Sequence, residues 1–250
     1  MAVVTAVLLP GLDGTGKLFA PFVAAAPRAI STIVVDYPTS EASIDVFERR
    51  AREKLTNRCV VIAESFSGPI GVRVAADDRV QALILCNSFI TSPILSTLRH
   101  LAIPPLFAIP IPQFVLRFVL LGRQANPALV ESAQSALRRL PASVLAHRVR
   151  QVFQTDERSR VRSLRKPVLY LRGLSDNLVS ERSWRDLQTV RPDAQIVRIR
   201  GPHMLFQVSP AECWRTILKF VEDRCGLTRR CSRPLRSAAA AAACGAAYPH

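Results

Sequence analysis

The stretch Val60-Val61-Ile62-Ala63-Glu64-Ser65-Phe66-Ser67-Gly68 joins an apolar run to a set of small residues and then to a segment of helical length. A continuous apolar run is typical of a strand that is buried on both faces of a parallel sheet. A sharp turn from such a strand into a helix makes the residue at the turn project its side chain, and it requires small residues two positions to either side. Ser65 has Ala63 before it and Ser67 after it, so Ser65 is a candidate nucleophile. From this segment alone, a plain helix N-cap explains either serine as well.

Similar apolar runs alternate with helical patterns along most of the chain. The predicted strands are Val3–Leu9, Thr32–Asp36, Cys59–Ala63, Ala82–Cys86, Pro167–Arg172 and Gln195–Ile199. The predicted helices between and after them are Ser43–Leu55, Gly68–Ala76, Glu181–Val190 and Pro210–Arg224. Strands that alternate with helices imply right-handed crossovers. We therefore predict an α/β fold with a mostly parallel central sheet that is flanked by helices.

The alternation stops between residues 91 and 163, which predicts a helical cap inserted into the core. Helical patterns cover Pro127–Leu140 and Ala142–Phe153, and an apolar stretch, Leu101–Leu121, precedes them. Four prolines interrupt that stretch, so a surface or lid segment is a better interpretation than a membrane span. We predict core residues at 1–90 and 164–224. The Arg- and Ala-rich residues 225–250 lack apolar periodicity and are predicted to form a disordered tail.

The composition favours one compact domain with a sizeable core, since 49% of the 250 residues are hydrophobic and 21% are charged. The net charge of +15 comes mostly from arginines that are spread along the chain, which does not favour specific nucleic-acid binding. The inserted segment holds ten arginines against three acids, and we interpret them as solvated helix faces. Contact of this basic segment with an anionic membrane is an alternative that we do not favour. The six cysteines include no C-x-x-C pair and Met1–Pro10 lacks a signal-peptide pattern, so we expect reduced thiols and a cytoplasmic location.

A glycine-rich loop, Pro10-Gly11-Leu12-Asp13-Gly14-Thr15-Gly16-Lys17, follows the first predicted strand. Its backbone N–H groups are suited to stabilising a developing oxyanion. Residues 11–17 also match G-x-x-x-x-G-K, the body of a phosphate-binding loop. That motif requires a Ser or Thr hydroxyl next, where this chain has Leu18. A third interpretation is that the glycines serve the turn alone.

Two further polar residues follow later strands of the predicted sheet. Asp176 lies in the loop after Pro167–Arg172, and His203 lies just past Gln195–Ile199. A helix cap explains Asp176 taken by itself. The order Ser65, Asp176, His203, with each residue at the carboxyl end of a strand and a glycine loop ahead of them, is much harder to obtain by chance.

On these residues the chain resembles the α/β-hydrolase superfamily, over about residues 1 to 223. It looks most like the serine esterase and lipase-like members whose glycine loop reads P-G-x-D-G and whose nucleophile turn reads E-S-F-S-G. Both glycines of the usual G-x-S-x-G are replaced here, by Ala63 and Ser67.

The resemblance implies a small-molecule ester or acyl substrate, no cofactor and no metal. Ser65 would be the nucleophile, His203 the general base and Asp176 the carboxylate that orients it. The backbone N–H groups of Leu12 and Phe66 would form the oxyanion hole. Apolar residues of the insert, namely Leu106, Phe107, Phe114 and Phe118, are expected to line the substrate pocket. An acyltransferase with the same triad and a non-catalytic ligand-binding protein of this fold stay open as alternatives.

Overall fold

The fold is a six-stranded parallel sheet between two layers of helices. A computed structural model describes residues 4–93, 102–109, 111–122 and 126–226. The strands, in the spatial order β2-β1-β3-β4-β5-β6, are β1 (Val4–Leu9), β2 (Ile30–Val34), β3 (Cys59–Glu64), β4 (Val80–Cys86), β5 (Val168–Gly173) and β6 (Gln195–Ile199). The predicted class of fold is therefore confirmed.

The helices of the two layers are α1 (Ala20–Ala24), α2 (Ile44–Glu53), α3 (Gly68–Val74), α9 (Glu181–Val190), α10 (Leu205–Val208) and α11 (Pro210–Cys225). Helix α9, strand β6 and the helix Ala142–Phe153 have the predicted bounds, and the other predicted elements shift by one or two residues. The largest shift is in β2, which begins at Ile30 because this residue pairs with Val4 of β1.

Successive residues of the central strands point to opposite faces of the sheet and so supply two separate cores. Val7 and Leu9 of β1 belong to the core that is covered by α2, α3 and α9. Ala6 and Leu8 belong to the core under α1, α10 and α11. In the second core, the Trp214 ring stacks on Phe22 at 4.2 Å. These buried faces explain why the strands read as continuous apolar runs.

The chain between β4 and β5 contains α4 (Pro104–Ala108), α5 (Gln113–Leu116) with a π-helical turn (Arg117–Leu121), α6 (Pro127–Arg138), α7 (Ala142–Phe153) and α8 (Arg158–Ser163). Helix α4 packs against α7, and α5 packs against α6. Helix α8 contacts α9, and its Val161 is buried in the first core. Within the described ranges, no helix is both long and apolar enough to cross a membrane.

The predicted disordered tail, residues 225–250, lies outside the described residues apart from Cys225 and Gly226. Since all six strands are parallel, their carboxyl ends lie along one edge of the sheet. Ligands of open α/β sheets bind outside this edge.

Candidate active site

The turn after β3 holds Ser65 in a left-handed backbone conformation, with φ 48°. This conformation is strained for a residue other than glycine, and such strain clusters at functional sites. The Ser88 hydroxyl donates a hydrogen bond of 2.5 Å to the Ser65 carbonyl and helps to hold the turn. A Cβ atom at Gly68 would collide with that Ser88 hydroxyl and with the Phe89 carbonyl, so the turn requires glycine at this position.

The structure brings Ser65, His203 and Asp176 together at the carboxyl edge of the sheet. Nε2 of His203 lies 2.8 Å from Oγ of Ser65. Nδ1 of His203 lies 3.1 Å from both carboxylate oxygens of Asp176. Ser65, His203 and Asp176 follow β3, β6 and β5, and hydrogen bonds connect them from the hydroxyl through the imidazole to the carboxylate.

The Asp176 carboxylate is held by donors besides His203. Its Oδ1 accepts hydrogen bonds from the backbone N–H of Leu178, at 2.8 Å, and of Val179, at 3.0 Å. Its Oδ2 lies 3.1 Å from Nη1 of Arg172. Burial raises the pKa of Asp176, but the hydrogen bond and charge of His203, together with the two backbone donors, outweigh burial and lower it. The group is therefore an ionised acceptor at neutral pH.

Asn87 supports the site and was not predicted from the sequence. It directly follows β4 and has a positive φ of 43°. Its Nδ2 donates to the carbonyls of Pro202, at 3.0 Å, and His203, at 2.7 Å, while its Oδ1 accepts from Gly173 N at 2.7 Å. The side chain thus ties the end of β5 to the loop that carries His203. The available signal was a polar residue immediately after a buried apolar strand.

The glycine-rich loop is organised around its own side chains. The carboxylate of Asp13 accepts hydrogen bonds from the backbone N–H of Thr15, at 2.9 Å, and from its hydroxyl, at 2.6 Å. Burial raises the pKa of Asp13, although Thr15 and the charge of Arg148 oppose the change. A carboxylate therefore accepts from a backbone N–H of the loop that a bound phosphate would need, and the geometry does not favour a nucleotide-binding loop.

The two backbone N–H groups of the predicted oxyanion hole belong to Leu12, which lines the same cavity as Ser65, and to Phe66, which follows Ser65 in the chain. Gly11 O accepts a hydrogen bond of 3.1 Å from Gly14 N. Since the N–H of a trans peptide points opposite to its carbonyl, this bond also fixes the direction of the Leu12 N–H. Among the described residues, this Leu12 N–H has no hydrogen-bond acceptor. Phe66 is the second residue of a 3-10 turn, Ser65–Ser67, and the first N–H groups of a helix lack an acceptor within it.

A cavity of about 250 Å³ opens onto Ser65 and His203. Its walls are largely apolar and come from the glycine loop, α5 with its π-helical turn, α6 and α7. Of the four residues predicted to line a pocket, Phe107 is on its wall. Leu106, Phe114 and Phe118 lie outside the cavity and are 54%, 74% and 59% exposed.

The helical period explains this difference along α5 and the π-helical turn. Val115 and Val119 point into the cavity together with Leu116. Phe114 and Phe118 are four residues apart, so they share the opposite, outer face of the same segment. The apolar character of the insert therefore did not show which face of this segment lines the cavity.

Glu64, next to Ser65 in the chain, is a buried acid on the side of β3 that faces α10. Its Oε2 accepts a hydrogen bond of 3.3 Å from Gln207 Nε2. Within the described part of the chain, Oε1 of Glu64 has no hydrogen-bond partner. Burial raises the pKa of Glu64 to about 8, although the Gln207 hydrogen bond opposes it, so the carboxyl is mostly protonated at neutral pH.

Comparison with known proteins identifies the fold of this chain. No protein-family description matches the chain, and no curated protein matches it. An esterase from Exiguobacterium antarcticum superposes with a TM-score of 0.76 at 12% identity, over 89% of this chain and 93% of the esterase. A hydrolase from Oleispira antarctica gives a TM-score of 0.75 at 15% identity, over 88% and 91% of the two chains. An enol-lactonase from Burkholderia xenovorans LB400 gives 0.70 at 17% identity, over 88% and 91%. The chain has the α/β-hydrolase fold.

Proposed function

We propose that this protein is a serine hydrolase that cleaves a carboxylic ester, or a related acyl compound, through an acyl-enzyme. The observation that supports the proposal is the chain of hydrogen bonds from Ser65 through His203 to Asp176. Ser65 and His203 line an apolar cavity. The esterase, hydrolase and lactonase that share the fold are consistent with it. Because fold alone does not establish activity, the argument depends on the site.

In the first half of the reaction, Oγ of Ser65 attacks the substrate carbonyl carbon and His203 Nε2 takes the hydroxyl proton. The N–H groups of Leu12 and Phe66 stabilise the resulting oxyanion. When the intermediate collapses, the bond to the leaving alkoxide breaks and His203 returns the proton to that oxygen. The acyl group is then bonded to Ser65.

In the second half, a water molecule attacks the acyl carbon while His203 accepts its proton. Collapse of the second intermediate breaks the bond to Ser65 Oγ, and His203 protonates the serine. Ionised Asp176 keeps the Nδ1 proton in place and stabilises the imidazolium in both halves. The helices between β4 and β5 form a cap over this chemistry, and the apolar cavity holds the acyl chain.

The decisive experiment compares the wild type with Ser65→Ala. Both are treated with a fluorophosphonate probe and with chromogenic esters of increasing acyl length. We expect the wild type to label and to turn over, and Ser65→Ala to do neither. Ser180→Ala is the matched control, because Ser180 is an exposed residue at the start of α9 whose side chain makes no capping hydrogen bond.

Each outcome has a clear meaning. If labelling persists in Ser65→Ala, the nucleophile assignment is wrong. If the folded wild type neither labels nor turns over, the hydrolase proposal fails and a non-catalytic ligand-binding role takes its place. If it labels but releases product only when an alcohol is added, the enzyme is the acyltransferase.

A further inference from the structure

Arg148 is a fully buried guanidinium on α7, with 0% of the residue exposed. It donates hydrogen bonds to three backbone carbonyls. Nη1 donates to Leu12 O at 2.8 Å, Nη2 to Pro38 O at 2.8 Å, and Nε and Nη2 to Glu41 O at 3.0 and 2.9 Å. Its guanidinium carbon also lies over the Phe47 ring, 4.9 Å from the centroid.

Burying a charge is costly unless partners compensate it. Among the described residues, no carboxylate lies within ion-pair distance of Arg148, and its hydrogen bonds all go to backbone carbonyls. Burial lowers the pKa of Arg148 to about 10, against the opposing charge of Asp13, so the side chain stays protonated at neutral pH. Its contacts hold backbone segments in place rather than balance an acid.

One of those segments is the loop that carries the proposed oxyanion donor. Three consecutive carbonyls of this loop each have a separate donor. Pro10 O accepts from the hydroxyl of Ser67, Gly11 O from the backbone of Gly14, and Leu12 O from Arg148. Because a trans peptide is planar, the Leu12 N–H points opposite to the Gly11 carbonyl, and the hydrogen bond from Gly14 fixes that carbonyl. The bonds to the Pro10 and Leu12 carbonyls hold the peptides on either side and so restrict rotation of the Gly11–Leu12 peptide.

The fit between Arg148 and the loop leaves no spare room. Gly14 has a φ of +73°, and a Cβ there would lie 2.6 Å from Nη1 of Arg148. Ser67 and Gly14, which donate to the carbonyls of Pro10 and Gly11, lie outside the chain between β4 and β5. Arg148, which donates to the Leu12 carbonyl, lies within it. Arg148 is therefore the contact through which α7 reaches the loop beside Ser65.

We infer that Arg148 is a positioning residue for the oxyanion hole: by holding the Leu12 carbonyl, it restricts rotation about the backbone bonds of Leu12 and keeps the N–H of this residue facing the substrate carbonyl. The inference rests on the proposed function and adds a residue that touches neither substrate nor Ser65. Its action is preorganisation, since a donor that is already aligned stabilises the transition state without reorganising during the reaction. It also makes catalysis depend on the docking of α7.

The kinetic test uses Arg148→Lys and Arg148→Gln, which keep a donor but lack the planar fork that reaches three carbonyls. We expect kcat to fall about tenfold to a hundredfold while KM stays within about twofold, because a misaligned oxyanion donor acts only in the transition state. Affinity for a boronic acid that forms a tetrahedral adduct on Ser65 should fall in parallel with kcat/KM. The matched control is Arg150→Lys, since Arg150 lies on the same helix and donates to Ala102 O at 2.8 Å.

An activity-independent measurement keeps this inference separate from the proposed function. Amide hydrogen exchange over residues 9–17 should become about tenfold faster in the Arg148 variants, because one tertiary hydrogen bond to the loop is lost. Unchanged kcat and boronic-acid affinity in a folded Arg148 variant would overturn the inference. So would unchanged exchange in the loop, even if the wild type shows no hydrolysis. If one of the two Arg148 variants does not fold, the result of the other variant decides the test.

Discussion

Nδ1 of His203 lies at the same distance, 3.1 Å, from the two oxygens of Asp176, and each oxygen has a further donor. The carboxylate therefore accepts from the imidazole and from its own loop at once. An amide at this position has only one acceptor atom, so it cannot serve both sets of donors. The geometry requires a carboxylate rather than any polar side chain of this shape.

Asp176→Asn is accordingly expected to lower kcat for ester hydrolysis by about 10³- to 10⁴-fold, because His203 loses the acceptor that sets its tautomer. Steady-state kinetics on the best chromogenic ester measures the change. Asp193→Asn is the control, since Asp193 pairs with Arg191 at 2.6 Å on the surface. A loss below tenfold in Asp176→Asn, with the protein folded, would contradict the assigned role.

The sequence predicted the strands well because they depend on local patterns, and Ser65, Asp176 and His203, which follow three of them, could be expected at one edge of the sheet. Continuous apolar runs identify buried strands, and parallel strands bring the residues after them to one edge. Arg148 shows the limit of this reasoning. It was counted among the arginines of solvated helix faces, but its partners are carbonyls more than 100 residues away in the chain, and a backbone carbonyl has no signature in the sequence.

Asn87 is expected to stabilise both the fold and the position of His203. Asn87→Ala removes three hydrogen bonds and leaves two buried backbone groups, the Gly173 N–H and the Pro202 carbonyl, without a partner, because the His203 carbonyl still accepts from Leu205 N. The loss should lower the free energy of unfolding by about 3 kcal/mol. Asn87→Gly loses the same hydrogen bonds, but glycine adopts the φ of 43° without strain, so it should be more stable than Asn87→Ala by about 1 kcal/mol. Urea denaturation measures both differences. Equal stability of alanine and glycine variants would show that the backbone strain is negligible.

Glu64 makes the stability of the protein depend on pH in a direction opposite to that of most acids. Its pKa is about 8 in the folded state against 4.5 for the ordinary group, so the folded protein binds more protons than the unfolded chain between these values. Its contribution to stability is fully present below pH 4.5 and is lost as the pH rises to 8.

Glu64→Gln removes this titration. The stability difference between Glu64→Gln and the wild type should therefore grow with pH, in favour of the variant, by a few kcal/mol between pH 4.5 and pH 8. Urea denaturation of both proteins at several pH values measures it. The comparison cancels the contributions of acids that do not interact with Glu64. The charge of Asp13, which raises the pKa of Glu64 further, is part of the measured effect. Parallel stability curves would mean that Glu64 is ionised in the folded protein.

Only the face of the π-helical turn that lines the cavity should affect acyl-chain preference. Val119 lines the cavity, whereas Phe118 next to it is on the outer face. Val119→Phe fills part of the cavity and should shift the preferred ester to a shorter acyl chain, because each methylene no longer buried loses about 0.8 kcal/mol, or about fourfold in kcat/KM. Phe118→Ala removes a larger side chain but should leave the preference unchanged. The kcat/KM values over an ester series measure both, and a shift caused by Phe118→Ala alone would place the acyl chain on the outer face instead.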